Sequence, residues 1–406
     1  MEQSTAPEGG LTTEEAANLL GVKPATLYAY VSRGLLARRR GLDGRSRFAA
    51  EDVERLRQRG RPTAATRGQH ITIESAITTV EDDAIYLRGR DVLEVASSLR
   101  FEEAAEWLWT GHEGAVQPWR TDPGAARTGE AVQAALPADV LPLDRLRVTA
   151  AAIAPTDPMR YDTGEEAVRV TGRRLISALV DTLPPLGEEP VEAGLSARLW
   201  SRLGPSPATP DLIRLLDSAL VLLLDHELSI STLSARMAAS VLADPYSVVS
   251  VGLSALGGPL HAVNSLAAED LLAEVSEPER ATWTIGERLR RGDRLPGFGH
   301  QLHPSGDPRA SFLLGRLRST VGSQETLAVV GAILDATTER GLPAANIDFA
   351  LAALSRTCGM LRGASEAIFG LARAAGWIAH ALEVYAGDLD MRPQVIYVGA
   401  PVVPER

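Results

Sequence analysis

The chain has 406 residues, enough for two or three domains with sizeable cores. It is 45% apolar and 23% charged, an ordinary globular balance, and its one cysteine, Cys358, excludes an internal disulfide and a cysteine metal cluster. The net charge of −11 hides an asymmetry: residues 1–67 carry a net +4 and the remainder −15, so a basic head precedes an acidic body and the two have different partners. Met1 to Gly10 is polar, without the apolar run of a secretory leader. The most apolar stretch, Leu212 to Leu228, is interrupted by Arg214, Asp217, Asp225, His226 and Glu227, which predicts a buried helix and no membrane span. A reducing, cytoplasmic location is expected.

In chain order, Thr12 followed by Glu15 has the pattern of a capping box, and Ala16, Ala17, Leu19 and Leu20 supply a short helix that Gly21 ends. Pro24 suits the first turn of a second helix, Ala25 to Arg33, with Leu27, Tyr28 and Val31 inward. Arg38-Arg39-Arg40, Asp43-Gly44, Arg45 and Arg47 read as a β-wing carrying arginines around a hairpin turn, and Ala50 to Arg59 as a closing helix. This order resembles the winged helix-turn-helix domains of the MerR and excisionase type. The resemblance implies DNA binding, with the second helix in a major groove and Lys23, Arg33, Arg38, Arg39, Arg40, Arg45 and Arg47 contacting the duplex. A helical appendage used for oligomer contacts or regulation is the other reading. The head is expected to span 1–60, and 61–69 to be a linker.

Beyond it, Ile71 to Thr79 and Ala84 to Leu87 alternate as a small hairpin, after which helical periodicity dominates. Helices are predicted over Phe101–Trp109, Gly164–Leu183, Ala193–Leu203, Ala235–Leu242, Val263–Val275, Pro308–Val321, Gln324–Arg340 and Phe369–Leu382. Asp225-His226-Glu227, followed by Ser229, Ser231, Thr232 and Ser234, looks like a site wall. Gly257-Gly258-Pro259 sets His261 on a turn at a helix start, where the helix dipole favours a neutral imidazole. Pro296 to Ala310 cannot be a helix interior, because glycine costs about 1 kcal/mol and proline about 3 there. It is a shaped loop presenting His300 and then Arg309, whose fork suits a carboxylate. Asp348 follows a turn among apolar neighbours that raise its pKa. Three histidines, one such acid and arginines suit a small polycarboxylate, although spacing alone does not make them converge.

Residues 70–400 resemble the citrate synthase family through eight stretches in register: Tyr86–Gly89, Asp225–Glu227, Gly258–His261, Pro296–His300, Asp307–Arg309, Asn346–Phe349, Ala372–His380 and Arg392-Pro393. The resemblance implies a mainly α fold, with large and small helical domains behind the head (70–264 and 353–406 for the large, 265–352 for the small), and a homodimer whose small domain closes over substrates. It implies that His261 hydrogen-bonds the thioester carbonyl of acetyl-CoA, Asp348 removes a methyl proton and His300 polarises the ketone of oxaloacetate. His226, Arg309, Arg373 and, from a second subunit, Arg392 then hold the dicarboxylate. No permanent cofactor or metal is implied; acetyl-CoA is a co-substrate.

The chain departs from the family pattern at Ala262 and Val263 in place of glycines, at Gln301, at His303 in place of tyrosine, and at Ala350-Leu351-Ala352. These bear on acyl-CoA choice, so a 2-methylcitrate synthase using propionyl-CoA is a second expectation. A DNA-binding regulator whose body senses a ligand is a third.

Overall fold

A computed structural model of the chain describes residues 11–20, 27, 30, 31, 36–40, 46–49 and 53, and residues 73–387 apart from 189–192, 259, 260, 262 and 323. The chain divides into two compact units, Met1–Glu74 and Ser75–Arg406. In the first, β1 (Leu11–Thr12) leads directly into α1 (Thr13–Leu20), and β2 (Arg38–Arg40) and β3 (Ser46–Phe48) complete a sheet of order β1-β3-β2. The wing strands are antiparallel with Arg39 opposite Arg47. β1, not anticipated in the sequence, pairs with the far edge of β3, Leu11 facing Phe48. Ala16, Leu27, Leu36, Phe48 and Val53 form the core, with Tyr30 and Val31 against it. The expected linker and most of the second and third head helices lie outside the described residues.

The second unit opens with the antiparallel strands β4 (Thr78–Glu81), β5 (Ala84–Leu87) and β6 (Arg90–Asp91). The first strand begins at Thr78, later than the alternation from Ile71 predicts. Asp82 and Asp83 make the connecting turn with φ of 49° and 66°, a left-handed pair that matches the twist of a two-residue hairpin. The rest is helical: α2 (Val92–Ser98), α3 (Phe101–Thr110), α4 (Pro123–Ala135), α5 (Pro142–Ile153), α6 (Glu165–Asp181), α7 (Leu195–Leu203), α8 (Pro210–Leu222), α9 (Ile230–Ala239), α10 (Pro245–Leu256), α11 (Val263–Val275), α12 (Ala281–Arg291), α13 (Pro308–Val321), α14 (Glu325–Thr338), α15 (Ile347–Thr357) and α16 (Ala364–Ala386). No described helix is long and apolar enough to cross a membrane.

The core is organised on α16, which packs against α3, α5, α6, α8, α9, α10, α11 and α15. Its Trp377 is fully buried. Covering an aromatic of roughly 200 Å² stabilises by about 5 kcal/mol at about 25 cal/mol per Å². Gly376 lets the helix approach the chain that follows α8: a Cβ there would lie 2.0 Å from the Leu224 carbonyl oxygen. That contact fixes the start of the Asp225-His226 turn. The helix predicted from Ala235 begins at Ile230, because Ser229 caps it and accepts the Thr232 N–H. The serines and threonine of that stretch therefore lie within its first turns.

Candidate active site

The loop around His300 takes its shape from two glycines, Gly297 (φ 80°) and Gly299 (φ 79°), in a backbone region that L side chains avoid. At Gly297 a Cβ would also strike Phe349 at 2.7 Å. The loop is laced to the segment before α15. Gly299 N–H donates to Ala344 O (2.8 Å), Asn346 N–H to Gly297 O (2.9 Å) and Asn346 Nδ2 to Gly299 O (2.9 Å). Asn346 Oδ1 also caps α15, accepting the N–H of Asp348 at 3.0 Å. One asparagine thus positions both the His300 loop and the helix that carries Asp348.

Asp307 works the same way one element earlier. It caps α13 by accepting Arg309 N–H (3.0 Å), holds that residue's guanidinium through Nε (3.0 Å) and Nη2 (2.9 Å), and accepts Ile347 N–H (3.0 Å). Pro308 suits the first helical position. The Asp-Pro-Arg sequence is therefore a cap, a helix start and an aimed fork. Arg309 and burial act oppositely on Asp307, and the pairing holds its carboxyl below the usual range.

His226, His300 and His303 stand ring against ring, with centroids 5.0, 5.1 and 4.9 Å apart. Nε2 of His226 lies 2.9 Å from Nε2 of His303, whose Nδ1 faces Asp83 on the hairpin turn at 3.9 Å. Leu302 N–H donates to His300 Nδ1 at 3.1 Å, so the neutral ring carries its hydrogen on Nε2, an assignment made from the hydrogen-bond pattern. Burial lowers all three imidazoles, His300 to about 4, and Arg309 adds to this in each. A ring nitrogen of each lies within 4.8 Å of the others, the spacing of a possible metal trio. With the His300 hydrogen on Nε2 and two guanidinium groups acting on the cluster, its chemistry suits an anion better than a cation.

Arg373 is fully buried on α16. Its Nε donates to Leu223 O (2.8 Å), Nη1 to Ser229 Oγ (3.4 Å), and its plane covers the Phe369 ring at 5.1 Å. Burial lowers its pKa to about 10, below the usual range yet charged at neutral pH. Ser229 Oγ also accepts Thr232 N–H and lies within hydrogen-bond reach of Ser231 Oγ (3.1 Å) and Thr232 Oγ1 (3.0 Å), and Ser231 Oγ reaches His261 Nε2 at 3.0 Å. With Ser231 as the donor, His261 Nε2 accepts and Nδ1–H is left as the free donor, an assignment made from the hydrogen-bond pattern. Burial, then the Arg373 charge, lowers His261 to about 4, so it is neutral.

Asp348 sits in the first turn of α15. Burial raises its carboxyl to about 6, against a Ser265 hydrogen bond and the charge of Arg309 that pull it down. Because Arg309 acts on His226, His300 and Asp348, and Arg373 on His226, His261 and Asp348, the six sequence-predicted residues described here lie within one electrostatic neighbourhood.

Residues 68–394 match the family model for the citrate synthase C-terminal domain, and residues 11–61 one for a helix-turn-helix domain. The chain belongs to the citrate synthase family. It is 28% identical to citrate synthase 2 of Bacillus subtilis over 82% of its length and 96% of that protein. It is 26% identical to 2-methylcitrate synthase 1 of Corynebacterium glutamicum, over 79% and 90%. The fold is that of the citrate synthase of Pyrobaculum aerophilum (TM-score 0.70, 22% identity, covering 84% of this chain and 94% of that one). It is equally that of the Thermoplasma acidophilum citrate synthase in a ternary complex with carboxymethyl coenzyme A and oxaloacetate (TM-score 0.69, 22% identity, 84% and 98%).

Lys23, Arg33, Arg45 and Arg392 lie outside the described residues, as do the side chains of Arg39 and Arg40. Arg38 and Arg47 are on the wing strands of the first unit. Sequence reading missed the supporting residues. His380 Nε2 donates to Asp225 at 3.1 Å while its Nδ1 accepts from Arg236 at 2.8 Å; Thr78 also bonds Asp225 and Glu383 also bonds Arg236. This buried network anchors the turn on which His226 stands, where Glu227 adopts φ 53°. The Asp225-His226 and His380 motifs were visible, but their pairing is a long-range contact without a local signal.

Proposed function

We propose that the chain condenses acetyl-CoA with oxaloacetate to citrate and coenzyme A, as an acyltransferase of the citrate synthase type. The observation that carries this reading is the grouping of two neutral imidazoles, His300 with its hydrogen on Nε2 and His261 with Ser231 on its Nε2, in the electrostatic neighbourhood of one carboxylate, Asp348. A thioester methyl is too weakly acidic for a carboxylate alone. His261 offsets the charge growing on the thioester oxygen while Asp348 takes the proton, and both steps share one barrier. The enolate carbon attacks the ketone carbon of oxaloacetate while the Nε2–H of His300 hydrogen-bonds the ketone oxygen, and the resulting alkoxide takes up one proton, matching the one Asp348 removed, to become the hydroxyl. Water then cleaves the thioester, releasing coenzyme A. Arg309, Arg373 and His226 hold the dicarboxylate. Exposed Ile230, Val241, Leu242 and Val251 on and between α9 and α10 support pairing with a second copy, which would supply Arg392.

Propionyl-CoA is the second substrate to weigh, because relatives of both names match the chain at similar identity. One methylene is worth about 1–3 kcal/mol to a pocket. Thiol release from acetyl-CoA and propionyl-CoA with oxaloacetate, with Asp348→Asn as control, tests the reading. Turnover lowered 10²- to 10⁴-fold in the control supports it. No coenzyme A from wild type overturns it, and higher kcat/KM with propionyl-CoA reassigns the acyl group.

The first unit is proposed to bind DNA. Its paired wing strands carry Arg38, Arg39, Arg40 and Arg47, a phosphate-binding composition. A mobility shift whose affinity does not fall with rising salt would rule out the arginine wing as the contact.

A further inference from the structure

Ser265 lies in the first turn of α11, four residues after His261, and is fully buried. Its Oγ donates to Asp348 Oδ1 at 2.5 Å. Among the described residues no donor reaches Oδ2. A hydroxyl on one oxygen of a carboxylate does two things: it fixes the rotation of the group, and it concentrates basicity on the oxygen left free. The geometry points to Ser265 as a positioning residue for proton abstraction, turning Asp348 so that Oδ2 takes the methyl proton and tying the base to the helix that starts beside His261. This rests on the condensation reading above. In the step itself the C–H bond of the acetyl methyl breaks, its proton goes to Oδ2, and its electron pair moves into the enolate, whose oxygen accepts a hydrogen bond from His261.

The charged groups acting on Asp348 are Arg309 and Asp307 from α13 and Arg373 from α16, and none of them changes when Ser265 does. Removing the hydroxyl withdraws a donor that favours the ionised carboxylate, so Asp348 becomes harder to ionise. The shift expected is upward by about one pH unit, the scale of one hydrogen bond to a carboxylate.

The test uses the full chain as wild type, S265A and S265T. The acid limb of kcat/KM for acetyl-CoA should move up by about one unit in S265A and return near wild type in S265T, which restores the hydroxyl, with KM for oxaloacetate unchanged within about twofold. Carboxyl protonation is read separately, by infrared difference spectra against D348N and, in the S265A background, against the double variant. That midpoint should shift in the same direction. The infrared reading needs no turnover, so an inactive wild type would defeat the condensation reading while the Ser265–Asp348 contact was still measured. An S265A chain that unfolds at the wild-type temperature with both the midpoint and the acid limb unmoved overturns the inference.

Discussion

His226 and His303 meet Nε2 to Nε2 at 2.9 Å, close enough that one ring must donate and the other accept. Double protonation would set two like charges at that distance in reach of Arg309, so burial and the guanidinium both favour a neutral pair. The family pattern has tyrosine where this chain has His303, a hydroxyl that can also partner His226. His303→Phe leaves the buried His226 nitrogen unpaired, which costs about 1–3 kcal/mol. The expected result is a rise in KM for oxaloacetate of roughly tenfold, with kcat changed far less. His303→Tyr should recover most of the loss. Equal KM values in all three chains would show that the contact does not orient His226.

Asp348 carries an opposition between activity and stability. Its pKa is about 6 in the fold against 3.8 for the free side chain, so the fold disfavours its ionised form. The penalty is absent below about pH 3.8, grows as pH rises, and is complete above about pH 6. Asp348→Asn should therefore raise the melting temperature by a few degrees at pH 8, a gain of roughly 1–3 kcal/mol that shrinks toward pH 4. The same ionisation is needed by a general base, so wild-type kcat/KM should climb as pH rises to about 6 and then level. A melting temperature for the variant that is unchanged at every pH would remove burial as the source of the shift.

Ser231 Oγ is the hydrogen-bond partner of His261 Nε2 at 3.0 Å. Without its hydroxyl, Nε2 loses its partner, and the ring is free to carry its hydrogen on either nitrogen. Ser231→Ala should lower kcat about tenfold, equivalent to about 1.4 kcal/mol of barrier. Steady-state turnover at saturating oxaloacetate checks this, and undiminished kcat would return the assignment of Nδ1–H as donor to doubt.

Gly376 tests how closely the core sets the site. A Cβ there meets the Leu224 carbonyl oxygen at 2.0 Å, and neither backbone can yield without moving Asp225. Gly376→Ala should destabilise by about 1–3 kcal/mol or more. Thermal unfolding reads the cost, and isothermal titration with oxaloacetate reads displacement of His226. A chain that melts as wild type would mean that α16 shifts freely, contrary to its packing.

Much of this was legible in the sequence because each motif has a local cause. Gly297 and Gly299 announce a loop, Asp307-Pro308 a helix start, and α13 begins at the residue the pattern names. What failed was also physical. Ile347 to Ser355 is buried at every position but Asp348, so its apolar run marked a buried segment without fixing its type, and the acid it carries was placed only as following a turn. α4 and α5 begin at prolines inside stretches rich in alanine, where periodicity is weak. Ser265 was not singled out in the sequence: it falls four residues after His261, and only the packing of α11 on α15 brings it to Asp348.

The lacing of the His300 loop to Asn346 has a consequence for engineering. Gly299 and Gly297 bond the segment on which Asn346 caps α15, so His300 and Asp348 are carried by one cassette, not by separate adjustable pieces. Exchanging the loop from a relative without residues 344–349 would import the wrong template for Asp348, and the reverse exchange would misplace His300. Redesign of acyl-group choice should transplant both segments together, and natural variants that retune one should carry a compensating change in the other.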